Sequence, residues 1–200
     1  MSTAAIILAA GGSSRMGKPK QLLVFDGKTL LKSACEAAHD SGCRPVLVIT
    51  GKEHEALLPE IPAGSIIIHH ENWASGIGSS ISAGVAALQK IHSETGSVLI
   101  LLSDQPYAES ELLHKLIRAK NTGKNGIIAS AYAGTMGAPA IFDRTYFAEL
   151  TKLAGDEGAK KILSRHSDDI TAVDFPGGVA DIDTPEDYEA LNNPENTKDK

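Results

Sequence analysis

Short β-branched and aliphatic runs alternate along this chain with longer amphipathic stretches, as in Ile6-Ile7-Leu8, Val46-Leu47-Val48-Ile49, Ile66-Ile67-Ile68 and Val98-Leu99-Ile100-Leu101-Leu102. That alternation predicts an α/β fold built on a mainly parallel sheet. Strands are expected at residues 5–9, 45–50, 65–69, 98–102, 126–131, 138–142, 170–174 and 179–182. The run at 98–102 is the most apolar and is assigned to the centre of the sheet. Helices are expected at 30–40, 53–58, 79–91, 110–119, 146–153 and 158–165, with Gly42 ending the first. Thr184-Pro185-Glu186-Asp187 should open a last helix, with Thr as cap, Pro at the first position and acids in the first turn.

With 200 residues and no linker-like segment or repeat, the chain reads as one domain over residues 1–191, followed by a polar tail at 192–200. A formal charge of −6 argues against nucleic acid as a partner but leaves room for a local nucleotide site. No apolar run approaches the length that spans a bilayer. The apolar N-terminal stretch lacks a preceding basic residue and runs into a Gly-rich turn, so it reads as a strand and not as a signal peptide. Cys35 and Cys43 lack the spacing of a zinc site and read as reduced and structural. The cytoplasm is the expected compartment.

Four segments carry the chemistry. Gly11-Gly12-Ser13-Ser14-Arg15-Met16-Gly17-Lys18-Pro19-Lys20 follows the first strand and lies at the carboxyl edge of the sheet, where open α/β folds bind ligands. Its glycines let the backbone approach a polyphosphate, and Arg15, Lys18 and Lys20 add cations to a chain that is otherwise acidic. Gly12 to Lys18 matches most of a Walker A loop, but Pro19 stands where a metal-binding hydroxyl is needed and would break the helix due there. Asp104, in Leu102-Ser103-Asp104-Gln105-Pro106, ends the central strand; it is either a turn cap or, with a hard cation as partner, a metal ligand. Asp183 ends another apparent strand and is favoured over Asp181. Gly76-Ile77-Gly78 lacks the third glycine of a dinucleotide fingerprint, and Ser79 and Ser80 suit helix caps. Trp73 suits core and lid equally.

The sequence Leu8-Ala9-Ala10-Gly11-Gly12-Ser13-Ser14-Arg15-Met16-Gly17-Lys18-Pro19-Lys20, together with Asp104-Gln105-Pro106 and Asp181-Ile182-Asp183-Thr184-Pro185-Glu186-Asp187, resembles the MobA-like NTP transferase family. The similarity is closest to its molybdopterin cytidylyltransferases and runs to about Leu191. It implies a three-layer α/β/α Rossmann-like (GT-A-like) nucleotidyltransferase fold and transfer of NMP from an NTP, CTP by preference, to molybdopterin. It implies that Leu8, Ala9, Ala10, Gly11, Gly12, Ser80 and Asp104 bind the nucleotide. Arg15 and Lys20 would act on the phosphates, and Asp104 and Asp183 would hold Mg²⁺. It further implies transient contact with a molybdoenzyme or its chaperone. Gly155-Asp156-Glu157-Gly158-Ala159-Lys160 resembles a further family block. Ala138, in Gly137-Ala138-Pro139, departs from the His usual beside the acceptor. A sugar phosphate or other phosphorylated acceptor therefore stays open, as does a non-catalytic nucleotide-binding regulator.

Overall fold

The computed structural model describes residues 2–12, 16–180, 182 and 184–192; Arg15, Asp181 and Asp183 lie outside the described residues. In chain order the elements are β1 (Thr3–Ala9), β2 (Val24–Phe25), β3 (Lys28–Thr29), α1 (Leu30–Asp40), β4 (Val46–Thr50), α2 (His54–Leu57), β5 (Ser65–His69) and α3 (Ile77–Ile91). They continue as β6 (Ser97–Leu102), α4 (Ser110–Thr122), β7 (Ile127–Tyr132), β8 (Thr135–Asp143), α5 (Phe147–Leu150), α6 (Lys160–Arg165), β9 (Ile170–Asp174) and α7 (Pro185–Asn192).

Seven strands form one sheet in the order β5-β4-β1-β6-β8-β7-β9. Only β8 runs against its neighbours β6 and β7; the other pairings in this sheet are parallel. Strand alternation explains the layers. Ala4, Ile6 and Leu8 of β1 join Ile81, Val85 and Leu88 of α3 and Ile162 and Leu163 of α6, whereas Ala5, Ile7 and Ala9 join residues of α1 and α4. A sheet buried on both faces requires strands apolar throughout, which is why β1 and β4 carry no exposed position. The result is the expected three-layer, Rossmann-like fold. In α3, a Cβ added at Gly84 would stand 2.9 Å from Ile6 Cγ2, so the missing side chain lets this helix lie close on β1.

The helix signals act as the residues suggest. Thr29 Oγ1 accepts from Lys32 N–H at the start of α1, and Gly42, with φ +83°, turns the chain after it. At α7, Thr184 Oγ1 accepts from Asp187 N–H while Thr184 N–H donates to Asp187 Oδ2, a reciprocal capping box.

Several elements differ from expectation. Residues 176–179 form a 3₁₀ turn and not the start of a strand: Pro176-Gly177-Gly178 punctuates the chain, and Val179 is 61% exposed instead of buried in the sheet. The β2–β3 hairpin turns through Asp26 and Gly27, both at positive φ, an Asp-Gly signal passed over in the sequence. The hairpin shares a small separate core with α7 through Leu23, Leu30 and Ile182, packed by Tyr188 and Leu191. Cys35 and Cys43 are buried free thiols, and burial pushes the Cys35 thiol up to about 12. No helix among the described residues is long and apolar enough to cross a membrane.

Candidate active site

After β1 the chain moves to β4 and β5 on one side, while β6 returns on the other. The carboxyl ends of β1 and β6 therefore flank a topological switch point, where helices cannot cover the sheet edge and a crevice opens. The crevice consists of two adjoining cavities of about 380 and 890 Å³. Leu8, Ile77, Leu102, Asp104 and Asp156 line both, so this is one cleft, divided at Asp104.

The smaller half is walled by Leu8, Ala10, Gly11 and Gly12 from the loop after β1, with Trp73 and Ser80. A loop leaving a buried strand carries carbonyls that need donors. Gln21, only 4% exposed, supplies them: its Nε2 donates to Ala9 O at 3.2 Å and Gly11 O at 3.0 Å. Ser103 Oγ, just before Asp104, donates to Leu8 O at 2.8 Å and ties the ends of the two central strands together. Trp73 stands against the same loop; a Cβ on Gly12 would come 3.2 Å from its ring. Replacing Gln21 by Leu removes both donors at nearly constant volume. The expected outcome is a loss of about 1–3 kcal/mol of stability, measured by denaturant unfolding, with a weaker Kd for NTP. Wild-type stability and affinity together would show that the clamp is dispensable.

The Gly76-Ile77-Gly78 segment serves packing. Gly76 has φ +93°, and a Cβ there would overlap the carbonyl of Gly155. Gly78 N–H donates to Gly155 O at 2.9 Å, and a Cβ on Gly78 would sit 2.8 Å from backbone atoms of Ala154 and Glu157. The two glycines thus seat the 154–158 loop on the start of α3 and bring Asp156 to the cleft. Ser79 Oγ donates to Gly76 O and meets His70 Nε2 at 2.9 Å; burial, then the charge of neighbouring His69, lowers the pKa of His70. Ser80, 4% exposed, lines the smaller half of the cleft.

The larger half has an apolar bed of Ile77, Ile81, Ile100, Ala140 and Leu163, with Lys20, Gln105, Tyr132 and Lys160 among its polar groups. The register between β7 and β8 shifts from Ala129↔Ala140 to Ser130↔Gly137, so Ala138 and Pro139 bulge out of the ladder. Gln105 Nε2 donates to Ala138 O at 3.0 Å and Ser130 Oγ to Pro139 O at 2.7 Å, which satisfies the carbonyls the bulge frees.

Most of the sequence-assigned residues meet here. Leu8, Ala10, Gly11, Gly12 and Ser80 line the smaller half, Lys20 the larger, and Asp104 both. Ala9 turns into the core at 2% exposure and reaches the loop only through its carbonyl. Lys18, grouped with the phosphate-directed cations in the sequence, lies 5.1 Å over the ring of Tyr188 instead. Gln21, Asp156 and Tyr132 were given no role in the sequence. The Gly155-Asp156-Glu157-Gly158 block signalled one of them, whereas Gln21 and Tyr132 carry no local signal.

Among the described residues no cluster of three or more His, Cys, Asp or Glu side chains could hold a metal by itself. Half-buried Asp104 at the division of the cleft offers hard oxygen donors. A single protein carboxylate completed by substrate phosphates and water fits Mg²⁺, which seldom takes an all-protein cage.

Comparison with known proteins identifies the family and supports the fold. Residues 5–170 match the model of the MobA-like NTP transferase domain. The chain is 30% identical to nicotine blue oxidoreductase of Paenarthrobacter nicotinovorans over 79% of each chain. It is 29% identical to purine catabolism protein PucB of Bacillus subtilis (93% of this chain, 94% of that one) and 25% identical to molybdenum cofactor cytidylyltransferase of Escherichia coli K12 (92% of each). Among solved structures, Rv0371c of Mycobacterium tuberculosis H37Rv superposes with a TM-score of 0.83 at 28% identity, covering 96% of this chain and 97% of that one; it has also been solved in complex with manganese.

Proposed function

Because this chain belongs to the MobA-like NTP transferase family, we propose that it transfers the nucleoside monophosphate of an NTP, CTP by preference, to the terminal phosphate of molybdopterin and releases pyrophosphate. The observation that carries this reading is the cleft divided at Asp104, with a Gly-rich backbone wall on one side and a larger, apolar-bedded cavity on the other. The first suits a nucleotide whose base is met by backbone groups. The second suits an acceptor with a flat body. A sugar phosphate surrounds itself with hydroxyls that an isoleucine- and alanine-lined bed would leave unpaired, which disfavours that alternative.

In the reaction an acceptor phosphate oxygen attacks the α-phosphorus in line, and the bond from that phosphorus to the α,β-bridging oxygen breaks. A phosphate monoester is ionised at neutral pH, so no general base is required of the protein. The chain supplies positioning and charge: Lys20, with Arg15, neutralises phosphate oxygens, and the Gln21-clamped loop and Ser80 orient the nucleotide. Asp104, with Asp183, would hold Mg²⁺, which supplies charge neutralisation on the polyphosphate when bound. The proposed setting is the cytoplasm, where nucleoside triphosphates are available, and delivery to a molybdoenzyme or its chaperone would follow.

The test is thermal unfolding with ATP, CTP or GTP, with and without Mg²⁺, followed by pyrophosphate release with molybdopterin. CTP at a hundredfold excess over Kd should add about 2.7 kcal/mol, or about 5–10 °C in Tm, only when Mg²⁺ is present. No shift with any nucleotide, or no pyrophosphate with any acceptor, would overturn the reading.

A further inference from the structure

A strand at the edge of a sheet presents a row of backbone donors and acceptors, which folds usually guard with charge, bulges or covering segments. The two edges of this sheet are β5 and β9, and they are guarded differently. Strand β9 follows Asp168 and Asp169 and ends on Asp174. Strand β5, Ser65-Ile66-Ile67-Ile68-His69, lies in a stretch without Asp, Glu, Lys or Arg between Glu60 and Glu71, in a chain of net charge −6. Its three isoleucines are all partly exposed, Ile67 the most at 38%. The register with β4 decides which backbone groups are spare. Thr50 pairs with His69 in a parallel ladder, and His70 N–H donates to Thr50 O at 2.9 Å. In such a ladder alternate residues turn both backbone groups to the neighbouring strand, so Ile66 and Ile68 face β4 while Ser65, Ile67 and His69 face outward. Ser65 N–H is taken by Pro62 O at 3.3 Å. The N–H and C=O of Ile67, the C=O of Ser65 and the N–H of His69 are left along the edge, where no other strand among the described residues pairs with them.

We propose that β5 pairs with β5 of a second copy of this chain, antiparallel about Ile67, so that two sheets join across a two-fold axis. In this register Ile67 of each copy exchanges N–H to C=O bonds with Ile67 of the other, and His69 N–H donates to Ser65 O of the other. The side chains match as well. Ile67 stands opposite Ile67 on one face, and Ile66 opposite Ile68 on the other, where both already pack against the core shared with α3. A slip of one residue would set outward groups against inward ones and lose the bonds. Charge agrees with this occupant: two acidic chains repel, the β5 stretch is the neutral place at which they can meet, and β9 would bring three acids of each copy together. A strand from another protein would find the same backbone groups, but the match of Ser65, Ile67 and His69 to themselves favours a second copy. Two five-residue strands make a contact below the about 1,200 Å² of a stable interface, so the dimer is reversible and depends on concentration. The strand lines neither half of the cleft, and the pairing is independent of the reaction.

The test is sedimentation velocity of the full chain over a concentration series from low to several hundred micromolar. Ile67→Lys is the variant on β5, and Ala172→Lys, at the centre of β9, is the control. Both positions are exposed, so both variants should keep the wild-type Tm. Wild type and Ala172→Lys should move from monomer toward dimer mass as concentration rises. Ile67→Lys sets two ammonium groups opposite each other across the axis and should raise the dissociation constant at least about tenfold. In a second measurement, Ile67→Cys treated with a short bis-maleimide should join two copies, whereas Ala172→Cys should not; Cys35 and Cys43 are buried and should stay silent. A wild type that stays monomeric at every concentration overturns the proposal. So does a dimer that Ile67→Lys leaves intact, or one that Ile67→Cys fails to capture.

Discussion

Lys20→Ala is expected to lower kcat/KM for nucleotidyl transfer by about 10²–10³-fold, the scale seen when one preorganised charge-stabilising group is removed from a transition state. The expectation rests on how the residue is held. Lys20 opens a 3₁₀ turn whose carbonyl accepts from Leu23 N–H at 3.0 Å, and the next residue, Gln21, is anchored to the carbonyls of Ala9 and Gly11. The ammonium is therefore delivered to the cleft by backbone fixed on two sides, so little reorganisation is needed as charge develops on the phosphates. Its side chain belongs to no hydrophobic cluster, so the unfolding midpoint without ligand should stay close to that of the wild type. Lys20→Arg keeps the charge but spreads it over a planar fork and should recover activity only in part. Wild-type kcat/KM in the alanine variant would remove Lys20 from the chemistry.

The second large effect is expected at Asp104. Asp104→Asn preserves shape and removes the charge at the point where the two halves of the cleft meet. Activity should fall by at least about a hundredfold, and the Mg²⁺-dependent part of the CTP-induced Tm shift should vanish. The decisive reading is the metal titration: if the Tm shift with CTP still depends on Mg²⁺ in Asp104→Asn, the metal is held elsewhere and Asp104 serves only to turn the chain.

The two predictions differ in how far their residues could be read without coordinates. Asp104 was visible as a carboxylate ending the central apolar strand, which by itself suits a turn cap and a metal ligand equally and which the family resemblance assigned to the metal. Lys20 was visible as one of three cations in a Gly-rich turn; residue type did not rank the three, and the family resemblance chose Arg15 and Lys20. The structure separates them: Lys18 leaves for Tyr188 and Lys20 faces the cleft, while Arg15 lies outside the described residues. Gln21 was invisible, since a glutamine directly after a lysine looks like any surface position until the carbonyls it serves are brought beside it. The glycines of Gly76-Ile77-Gly78 showed that something must come close, and only the fold shows it to be the 154–158 loop.

What the sequence determined alone is local. Apolar runs of strand length, caps at Thr29 and Thr184 and the turn at Gly42 each depend on residues within one or two turns of the chain, and each formed where the side chains required. The class of fold followed, because strands apolar throughout must be covered on both faces. Only tertiary structure decided which strands are neighbours, that β8 inserts antiparallel between β6 and β7, and that its bulge stands across the cleft from the loop after β1. It also decided that the apolar run near Val179 stays out of the sheet. These depend on contacts between residues far apart in the chain, whose gain must outweigh the entropy of closing long loops, and that balance is not written in any single segment.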